Sequence, residues 1–312
     1  MPWRLTPKEP TLISIARSTL IAACTAVALV LAGCAAVDPA RIPAIDAGDG
    51  STRLPGKVVW HDLLSEDPAA ARRFYGGLFG WSFRDVDIGG GQTYTVIEHN
   101  GRGIGGLVDA RGINRDANVS RWIPVLSVAD MNAAMAEVRA GGGNVFQPPV
   151  DIPQRGRVAV IGDPQGAVLT LLEPRTGDPA DRPINDGDWL WNEVWSSDPA
   201  ATIGFYRRLV PEYEAVRVGK DAYTYLKADG QPRFGVLPKP VARIKDTWMA
   251  YVRVADPAAT ATAAERLGGA VLLAPRQNPL AGEVAILNDP SGAGFLVQTW
   301  DPSWAQERAA NR

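Results

Sequence analysis

Apolar and polar positions follow one pattern that occurs four times along the chain. Each copy has a strand rich in Val, Leu and Trp, a helix that opens on an aspartate, and three short strands. The copies begin at Lys57, Arg121, Asp188 and Thr247. Side chains that alternate between apolar and polar over four to eight residues are typical of half-buried strands. The pattern therefore predicts an α+β fold built from four βαβββ modules.

The boundaries of these elements carry specific signals. An Asp precedes each predicted helix, where it can accept hydrogen bonds from the free N–H groups of the first turn, and Pro follows it in three of the four copies. These residues are Asp67, Asp130, Asp198 and Asp256. Asn100-Gly101 and Asp229-Gly230 fit tight hairpin turns, which need positive φ. Asp163 and Asp289 each open an Asp-Pro-x-Gly turn before a closing strand.

The two halves of the chain are copies of each other. VVWHDLLSEDPAAARRFYGGL, from Val58, aligns without gaps to WLWNEVWSSDPAATIGFYRRL, from Trp189, and three later segments align in the same order. We therefore expect two tandem domains that pack on each other. The predicted divisions are a first domain at 57–175, a linker at 176–187, a second domain at 188–301 and a polar tail at 302–312.

Residues 1–33 predict a secretory signal peptide, because basic residues precede an apolar core that starts at Ser18. The core is shorter than the roughly 20 apolar residues of a membrane-spanning helix. Its end, LAGC, resembles the lipobox of bacterial lipoproteins. The resemblance implies a lipid on Cys34 and, since Ala35 follows, a place in the cell envelope on the periplasmic face of the outer membrane. Residues 34–56 would then form a flexible tether.

Composition narrows the classes of function. The chain has 312 residues, a net charge of −2 and no long basic run, so nucleic acid is not an expected partner. Its two cysteines are Cys24, inside the predicted signal peptide, and Cys34, the predicted lipid site. The mature chain would therefore have no disulfide and no thiolate for a metal or for nucleophilic catalysis.

The segment WHDLLSEDPAAARRFYGGLFGW, followed later by GDPQGAVLTLLEP, resembles the vicinal oxygen chelate superfamily, which includes glyoxalases, extradiol dioxygenases and bleomycin-resistance proteins. The similarity extends from about Lys57 to Trp300. It implies paired βαβββ modules whose curled mixed sheets surround a cavity. Metal-using members carry a His, Gln or Glu seven residues before the Asp that opens a helix, and a Glu seven residues after the Asp of the Asp-Pro-x-Gly turn.

This chain departs from the family pattern at every one of those metal positions. They hold Trp60, Ile123, Thr170, Trp191, Met249 and Leu296. Side chains of these types do not coordinate a divalent ion as His and carboxylates do. The sequence therefore predicts no metal and no other cofactor, and it leaves enzymatic activity open while favouring binding.

Strand alternation gives each half a set of cavity-facing residues, if Trp60 and Asp62 face the cavity. The predicted ligand-binding residues are Trp60, Asp62 and Leu64 in the first half and Trp191, Glu193 and Trp195 in the second. An indole beside a carboxylate suits a small aromatic or cationic ligand. The alternative interpretation is a closed core in which each carboxylate pairs with an arginine such as Arg157 or Arg253.

The two histidines of the chain are expected to lie in different environments. His61 lies between two cavity-facing positions, so its side chain should point to the other side of the sheet, towards the helix or the rim. His99 lies beside the Asn100-Gly101 turn and should be exposed to solvent.

Three functions follow as hypotheses. The preferred one is a lipid-anchored envelope protein of the bleomycin-resistance type that binds or sequesters a small molecule without a metal. The alternative is a metal-dependent lyase or extradiol-dioxygenase-type enzyme with ligands from unusual positions, namely His61, Asp62, Glu98 and Glu173. A purely structural role would be indicated by cavities that are filled in both halves.

Overall fold

The computed structural model describes residues 37–45, 52–111, 113–114, 117–218, 223–278 and 282–300. The predicted signal peptide, Cys34 and the predicted polar tail lie outside the described residues. Within the described ranges, no helix is both long enough and apolar enough to cross a membrane.

Each half contains eight strands and two helices. The first half consists of β1 (Val58–Ser65), α1 (Pro68–Phe79), β2 (Ser82–Asp87), β3 (Thr93–His99), β4 (Arg102–Asp109), β5 (Arg121–Ser127), α2 (Met131–Ala140), β6 (Asn144–Ile152), β7 (Gly156–Gly162) and β8 (Val168–Pro174). The second half consists of β9 (Trp189–Ser196), α3 (Pro199–Leu209), β10 (Glu214–Val218), β11 (Tyr223–Ala228), β12 (Gln231–Pro238), β13 (Thr247–Arg253), α4 (Pro257–Arg266), β14 (Ala270–Asn278), β15 (Gly282–Asn288) and β16 (Gly294–Gln298).

Each half forms one curled eight-stranded sheet. The strand order β2-β3-β4-β1-β5-β8-β7-β6 of the first half is repeated as β10-β11-β12-β9-β13-β16-β15-β14 in the second. Antiparallel pairing of β1 with β5 joins the two modules of the first sheet, while β1 pairs parallel with β4 and β5 with β8. The predicted α+β fold of four βαβββ modules in two tandem domains is confirmed.

The helix-capping aspartates and the hairpin-turn residues have the predicted roles. Asp67 accepts a hydrogen bond from the Ala70 N–H at 2.9 Å, and Asp130, Asp198 and Asp256 cap the other three helices in the same way. Asn100 and Asp229 have φ values of 51° and 52°, which the hairpin turns at these positions require. Short polar residues tolerate this left-handed conformation better than most L residues.

The helix-bearing faces of the two sheets pack on each other. Met131 and Met135 on α2 share an apolar cluster with Phe205 on α3, so this cluster spans both halves. A second shared cluster brings Phe74 on α1 against Phe295 on β16, with 6.0 Å between the ring centroids. Each helix of one half therefore completes the core of the other half.

A reciprocal contact links the Asp-Pro-x-Gly turns to the opposite half. Tyr206 on α3 donates from its hydroxyl to Oδ2 of Asp163, at 3.3 Å. Tyr75 on α1 faces Asp289 at the equivalent place. Burial raises the pKa of Asp163 and of Asp289 to about 6, although backbone N–H groups in each turn oppose the shift. Both carboxyl groups are therefore stabilised in the protonated form by folding.

The segment between the halves is tied to both of them. Asp178 accepts from the Leu54 N–H at 2.7 Å and from the Ser127 hydroxyl at 2.8 Å in the first half. Asp181 accepts two hydrogen bonds from the buried Arg233 of the second half, at 2.8 and 2.9 Å. The linker thus connects the two halves through specific polar contacts.

Part of the predicted tether is ordered on the first half. Residues 37–45, here called the N-terminal segment, contain a single 3₁₀ turn at Pro39–Arg41 that Asp38 caps. Ile42 and Ile45 are 2% and 7% exposed and belong to the apolar cluster of the first sheet. The prediction of a flexible tether is wrong for this segment, because the burial of its two isoleucines fixes it against the first sheet.

Candidate functional site

The concave face of the first sheet, here called cup 1, encloses a cavity of about 30 Å³, which has room for one or two water molecules. Asp62 on β1 lines it together with Tyr94 on β3 and Thr170 on β8. The apolar part of its wall consists of Val108, Val125, Ile152, Val158 and Leu172. Trp60 and Leu64 are buried in the same apolar cluster, as the alternation along β1 predicts.

A hydrogen-bonded network fixes the carboxylate of cup 1. Oδ1 of Asp62 accepts from the Tyr94 hydroxyl at 2.7 Å and from the Trp60 Nε1–H at 3.2 Å. The same indole N–H lies 2.9 Å from the Tyr94 hydroxyl oxygen. Burial raises the pKa of the Tyr94 phenol, which therefore remains a donor. A Cβ atom at Gly106 would lie 2.0 Å from that hydroxyl and 2.3 Å from Asp62 Oδ1, so the network needs glycine there.

Arg155 supplies the positive charge of cup 1. This side chain is 8% exposed, and Nη2 donates to the Tyr94 hydroxyl oxygen at 2.9 Å. Its guanidinium carbon lies 4.9 Å from the ring centroid of Tyr94 and 5.3 Å from that of Trp60, within cation–π distance. Nε donates to the carbonyl oxygen of Pro43 in the N-terminal segment at 2.7 Å. Asp62 and Arg155 are thus linked through one phenol.

The arginines that the sequence suggested as partners of the two carboxylates bind elsewhere. Arg157 pairs with Glu173 at 3.3 Å, and Arg253 pairs with Asp186 at 3.1 Å. The alternative pairing was wrong because Arg155 reaches the cup from the turn between β6 and β7, where strand alternation gives no direction for a side chain.

The hydroxyl of Thr170 has no hydrogen-bond partner although it is buried. Thr170 is 2% exposed and lines the cavity of cup 1, and its Oγ1 atom makes no hydrogen bond within the described part of the protein. A buried hydroxyl without a partner costs about 1–3 kcal/mol. A water molecule or a ligand atom in the cavity would remove that cost.

The second sheet has a corresponding concave face, cup 2, with a cavity of about 10 Å³. Oε2 of Glu193 accepts from the Trp195 Nε1–H at 3.3 Å and from the Tyr251 hydroxyl through a short hydrogen bond. Burial raises the pKa of Glu193, and hydrogen bonds from Tyr251, Trp195 and Tyr223 oppose the shift. Trp191 is half-buried and donates to the Tyr223 hydroxyl oxygen at 3.1 Å. Cup 2 is therefore almost filled by its own side chains.

The chain matches known proteins in sequence and in fold. The family model of the Glyoxalase/Bleomycin resistance protein/Dioxygenase superfamily matches residues 57–171. Putative glyoxylase CFP32 of Mycobacterium tuberculosis is 32% identical over 246 residues, which cover 78% of this chain and 94% of that protein. The chain belongs to the glyoxalase/bleomycin resistance protein/dioxygenase superfamily.

Another relative and a solved structure extend the comparison. Anthracycline biosynthesis protein DauV of Streptomyces sp. strain C5 is 30% identical over 266 residues, covering 78% of this chain and 93% of that protein. The Mn(II)-bound glyoxalase from Novosphingobium aromaticivorans superposes with a TM-score of 0.57 at 14% identity, covering 78% of this chain and 82% of that chain. The structural likeness supports the two-domain fold of the superfamily.

The metal positions of the superfamily do not fit a metal in this chain. Trp60 lies opposite Val125 across β1 and β5, and Val125 lies opposite Thr170 across β5 and β8. In cup 2 the same register aligns Trp191, Tyr251 and Leu296. At the six family metal positions, two indoles, three aliphatic or thioether side chains and one hydroxyl replace the imidazole and carboxylate ligands that divalent ions require.

The alternative ligand set is not assembled either. Asp62 faces cup 1, whereas His61 faces the opposite side of β1 and lies 2.8 Å from Asn192 Oδ1. Glu98 pairs with Arg84 at 2.8 Å, and Glu173 pairs with Arg157. No group of three His, Cys, Asp or Glu side chains with metal-binding geometry occurs in the described ranges. The discriminating feature of the alternative, convergence of these residues, is absent there.

The two histidines lie between the halves. His61 points away from cup 1, as predicted, but it is buried against Asn192, its counterpart in the repeat, and its ring lies 4.1 Å from that of Trp189. Burial lowers the pKa of His61 to about 4, so the ring is neutral near pH 7. The exposure predicted for His99 is wrong. This residue is 8% exposed, and Nδ1 lies 2.9 Å from Asp188 Oδ1 because the start of the second domain covers the hairpin.

Sequence reasoning missed Tyr94, Arg155 and the two isoleucines of the N-terminal segment. A signal for the tyrosine was present, because Tyr94 and Gly106 recur in the second half as Tyr223 and Gly235 with the same spacing. No comparable signal marks Arg155, since its counterpart in the repeat is Ala281.

Proposed function

We propose that this protein binds a small molecule in cup 1 without a metal ion and is held in the cell envelope by a lipid on Cys34. The observation that carries the proposal is the network of Asp62, Tyr94, Trp60 and Arg155 around a cavity whose family metal positions hold side chains that do not coordinate ions. Convergent polar groups in an otherwise apolar cavity are characteristic of small-molecule sites.

Two further features of cup 1 support binding over a purely structural role. Thr170 contributes a buried hydroxyl that still needs a partner. Arg155 is buried with a hydrogen bond to a backbone carbonyl of the N-terminal segment, which lies outside the sheet. A side chain kept only for packing would not need to bury a charge at this cost.

The geometry favours one of the two ligand classes expected from the sequence. A cationic ligand would have to lie over the rings of Trp60 and Tyr94, but the guanidinium of Arg155 occupies those positions. An aromatic ligand that is neutral or anionic meets no like charge there. We therefore propose an aromatic molecule for cup 1.

Attachment through Cys34 would hold cup 1 close to the membrane. Two residues separate Cys34 from Val37, where the N-terminal segment begins, so the distance between them is at most about 10 Å. The lipid, the signal peptide at 1–33 and the periplasmic face of the outer membrane form one proposal with the sequence motif LAGC as its basis.

The test is a titration of tryptophan fluorescence with 1-naphthoate, an aromatic carboxylate, on the chain from residue 35, which keeps every described residue. Gly106→Ala should weaken binding at least tenfold, since the new methyl group overlaps the Tyr94 hydroxyl and Asp62. Gly235→Ala is the matched control in cup 2, where a Cβ atom would lie 2.4 Å from the Tyr223 hydroxyl.

The control should leave the affinity within about twofold of the wild type while costing a similar amount of stability. Equal loss of binding in both variants would place the ligand outside cup 1 or make the loss a folding effect. Failure of 1-naphthoate and its alkyl and hydroxyl derivatives to bind the wild type would count against the proposed function.

A further inference from the structure

We infer that the N-terminal segment, residues 37–45, is a built-in competitor that occupies cup 1, and that the ligand it competes with is an apolar molecule carrying a hydrogen-bond-accepting oxygen for Arg155. The inference rests on the proposed binding function of cup 1 and names both its regulation and the chemistry of its ligand.

The two isoleucines of the N-terminal segment make its apolar contact with cup 1. Ile42 and Ile45 line the same cavity as Asp62 and Thr170 and belong to the cluster that contains Val125. Their two sec-butyl groups together are close in size to a bicyclic aromatic ring. They occupy the side of the cavity where an apolar ligand would bury its surface.

A hydrogen bond from Arg155 to Pro43 makes the polar contact of the segment with cup 1. Nε of Arg155 donates to the Pro43 carbonyl oxygen at 2.7 Å, while Nη2 donates to Tyr94 inside the network. If the segment left, the Nε–H group of a buried guanidinium would lose its acceptor. An incoming ligand therefore needs an oxygen at that position, because a cation or a purely apolar molecule would leave the donor unpaired.

The segment can leave without opening the sheet. The eight strands of the first sheet pair with one another, and the segment is not one of them. Besides the hydrogen bond from Arg155, the polar contacts of the described segment with the first half include a backbone hydrogen bond from Asp38 to Ile88 at 2.7 Å and an exposed ion pair of Arg41 with Asp87 at 2.9 Å. Exposed ion pairs contribute little to stability, so the buried isoleucines hold most of the segment in place.

A single introduced thiol reports the position of the segment. The chain from residue 35 has no cysteine, because Cys24 and Cys34 precede it. Ile45→Cys places a thiol at a buried position of the segment, and Ala44→Cys places one at the neighbouring exposed position as a matched control. The measurement is the rate of reaction with a disulfide reagent, with and without saturating 1-naphthoate.

We expect the thiol of Ile45→Cys to react at least tenfold more slowly than that of Ala44→Cys, and 1-naphthoate to accelerate it severalfold without affecting the control. If 1-naphthoate binds, as tryptophan fluorescence would show, but the Ile45→Cys rate stays the same, the competitor role is overturned and the proposed function stands. If 1-naphthoate binds neither the wild type nor the double variant Ile42→Ala/Ile45→Ala, both fail.

The double variant and a change of ligand charge test the rest of the inference. Removal of the two isoleucine side chains should tighten 1-naphthoate binding about tenfold, since the segment competes less well. The ammonium analogue 1-naphthylmethylamine should bind at least tenfold more weakly than 1-naphthoate. Equal affinity for the two compounds would overturn the assignment of an oxygen acceptor facing Arg155.

Discussion

The two cups share several matching residues but differ in the other side chains that line them. Each has a carboxylate two residues after a tryptophan on the first strand, and each has a tyrosine and a glycine at matching places. Cup 1 has a buried arginine and an unpaired hydroxyl, Arg155 and Thr170, where the aligned positions of the second half hold Ala281 and Leu296. The arginine that lines cup 2, Arg276, is only partly buried. In the described part of the walls, only cup 1 therefore combines a buried arginine with an unsatisfied hydroxyl.

The same backbone arrangement supports a nearly filled core in cup 2 and a cavity with a polar network in cup 1. In cup 2, Glu193 is surrounded by hydroxyl and indole donors, and its burial raises its pKa, which favours a neutral acid within a packed core. In cup 1, Asp62 and Arg155 are held on either side of the Tyr94 hydroxyl, and the remaining space is closed by the N-terminal segment. Function within this fold depends on which side chains face the cup.

The largest expected effect concerns the buried aspartate of the Asp-Pro-x-Gly turn, which both halves share. Asp163 and Asp289 have a pKa of about 6 in the folded protein, above the ordinary value of 3.8. Each group therefore stabilises the folded state by about 3 kcal/mol below pH 3.8, and this contribution is lost as the pH rises to about 6. Asp163→Asn and Asp289→Asn should remove the two losses about equally when unfolding free energy is measured from pH 4 to 7. A change in one variant only would break the equivalence of the turns.

The next effect tests a contact between the halves at which aligned residues differ, His61 opposite Asn192. Folding lowers the pKa of His61 from 6.5 to about 4. Its contribution to stability is complete above pH 6.5 and falls by about 3 kcal/mol as the pH drops to 4, opposite in sign to the two aspartates. Subtraction of the unfolding free energies of wild type and His61→Asn at each pH isolates this loss. A flat difference curve would mean that the ring is not buried neutral.

A smaller effect separates the two carboxylates directly. Asp62→Asn removes the carboxylate that faces Arg155 across the Tyr94 hydroxyl and should cost about 2 kcal/mol at pH 7, because hydrogen bonds to a charged group contribute about 1.5–3 kcal/mol. Burial raises the pKa of Glu193 and so disfavours its charged form, and Glu193→Gln should cost less than about 1 kcal/mol. Urea unfolding of both variants measures the contrast. Equal costs would contradict the different roles of the two carboxylates.

Much of the fold was predictable because its signals are local. Capping aspartates, Asn-Gly and Asp-Gly turns and strand alternation act within a few residues, so Asp67 and Asn100 could be placed from the sequence. Trp60 and Asp62 could be assigned to one face of β1 for the same reason.

The remaining features of the site depend on contacts between distant segments. Arg155 lies in a turn and reaches Tyr94, 61 residues earlier, and no periodicity links the two. His99 was expected to be exposed because a hairpin turn alone is solvated, whereas Asp188, at the start of the second domain, covers it. Ile42 and Ile45 lie in a stretch whose composition is that of a tether, and only the cup gives them a place to be buried.

The measurement that tests the central claim most directly is calorimetric titration of the chain from residue 35 with 1-naphthoate, first in excess chelator and then after loading with Mn(II), Fe(II), Ni(II) or Zn(II). Metal-free binding in cup 1 predicts the same affinity within about twofold under all conditions and no metal retained after dialysis. Binding that appears only with one of these ions, together with stoichiometric metal that survives dialysis, would contradict the account.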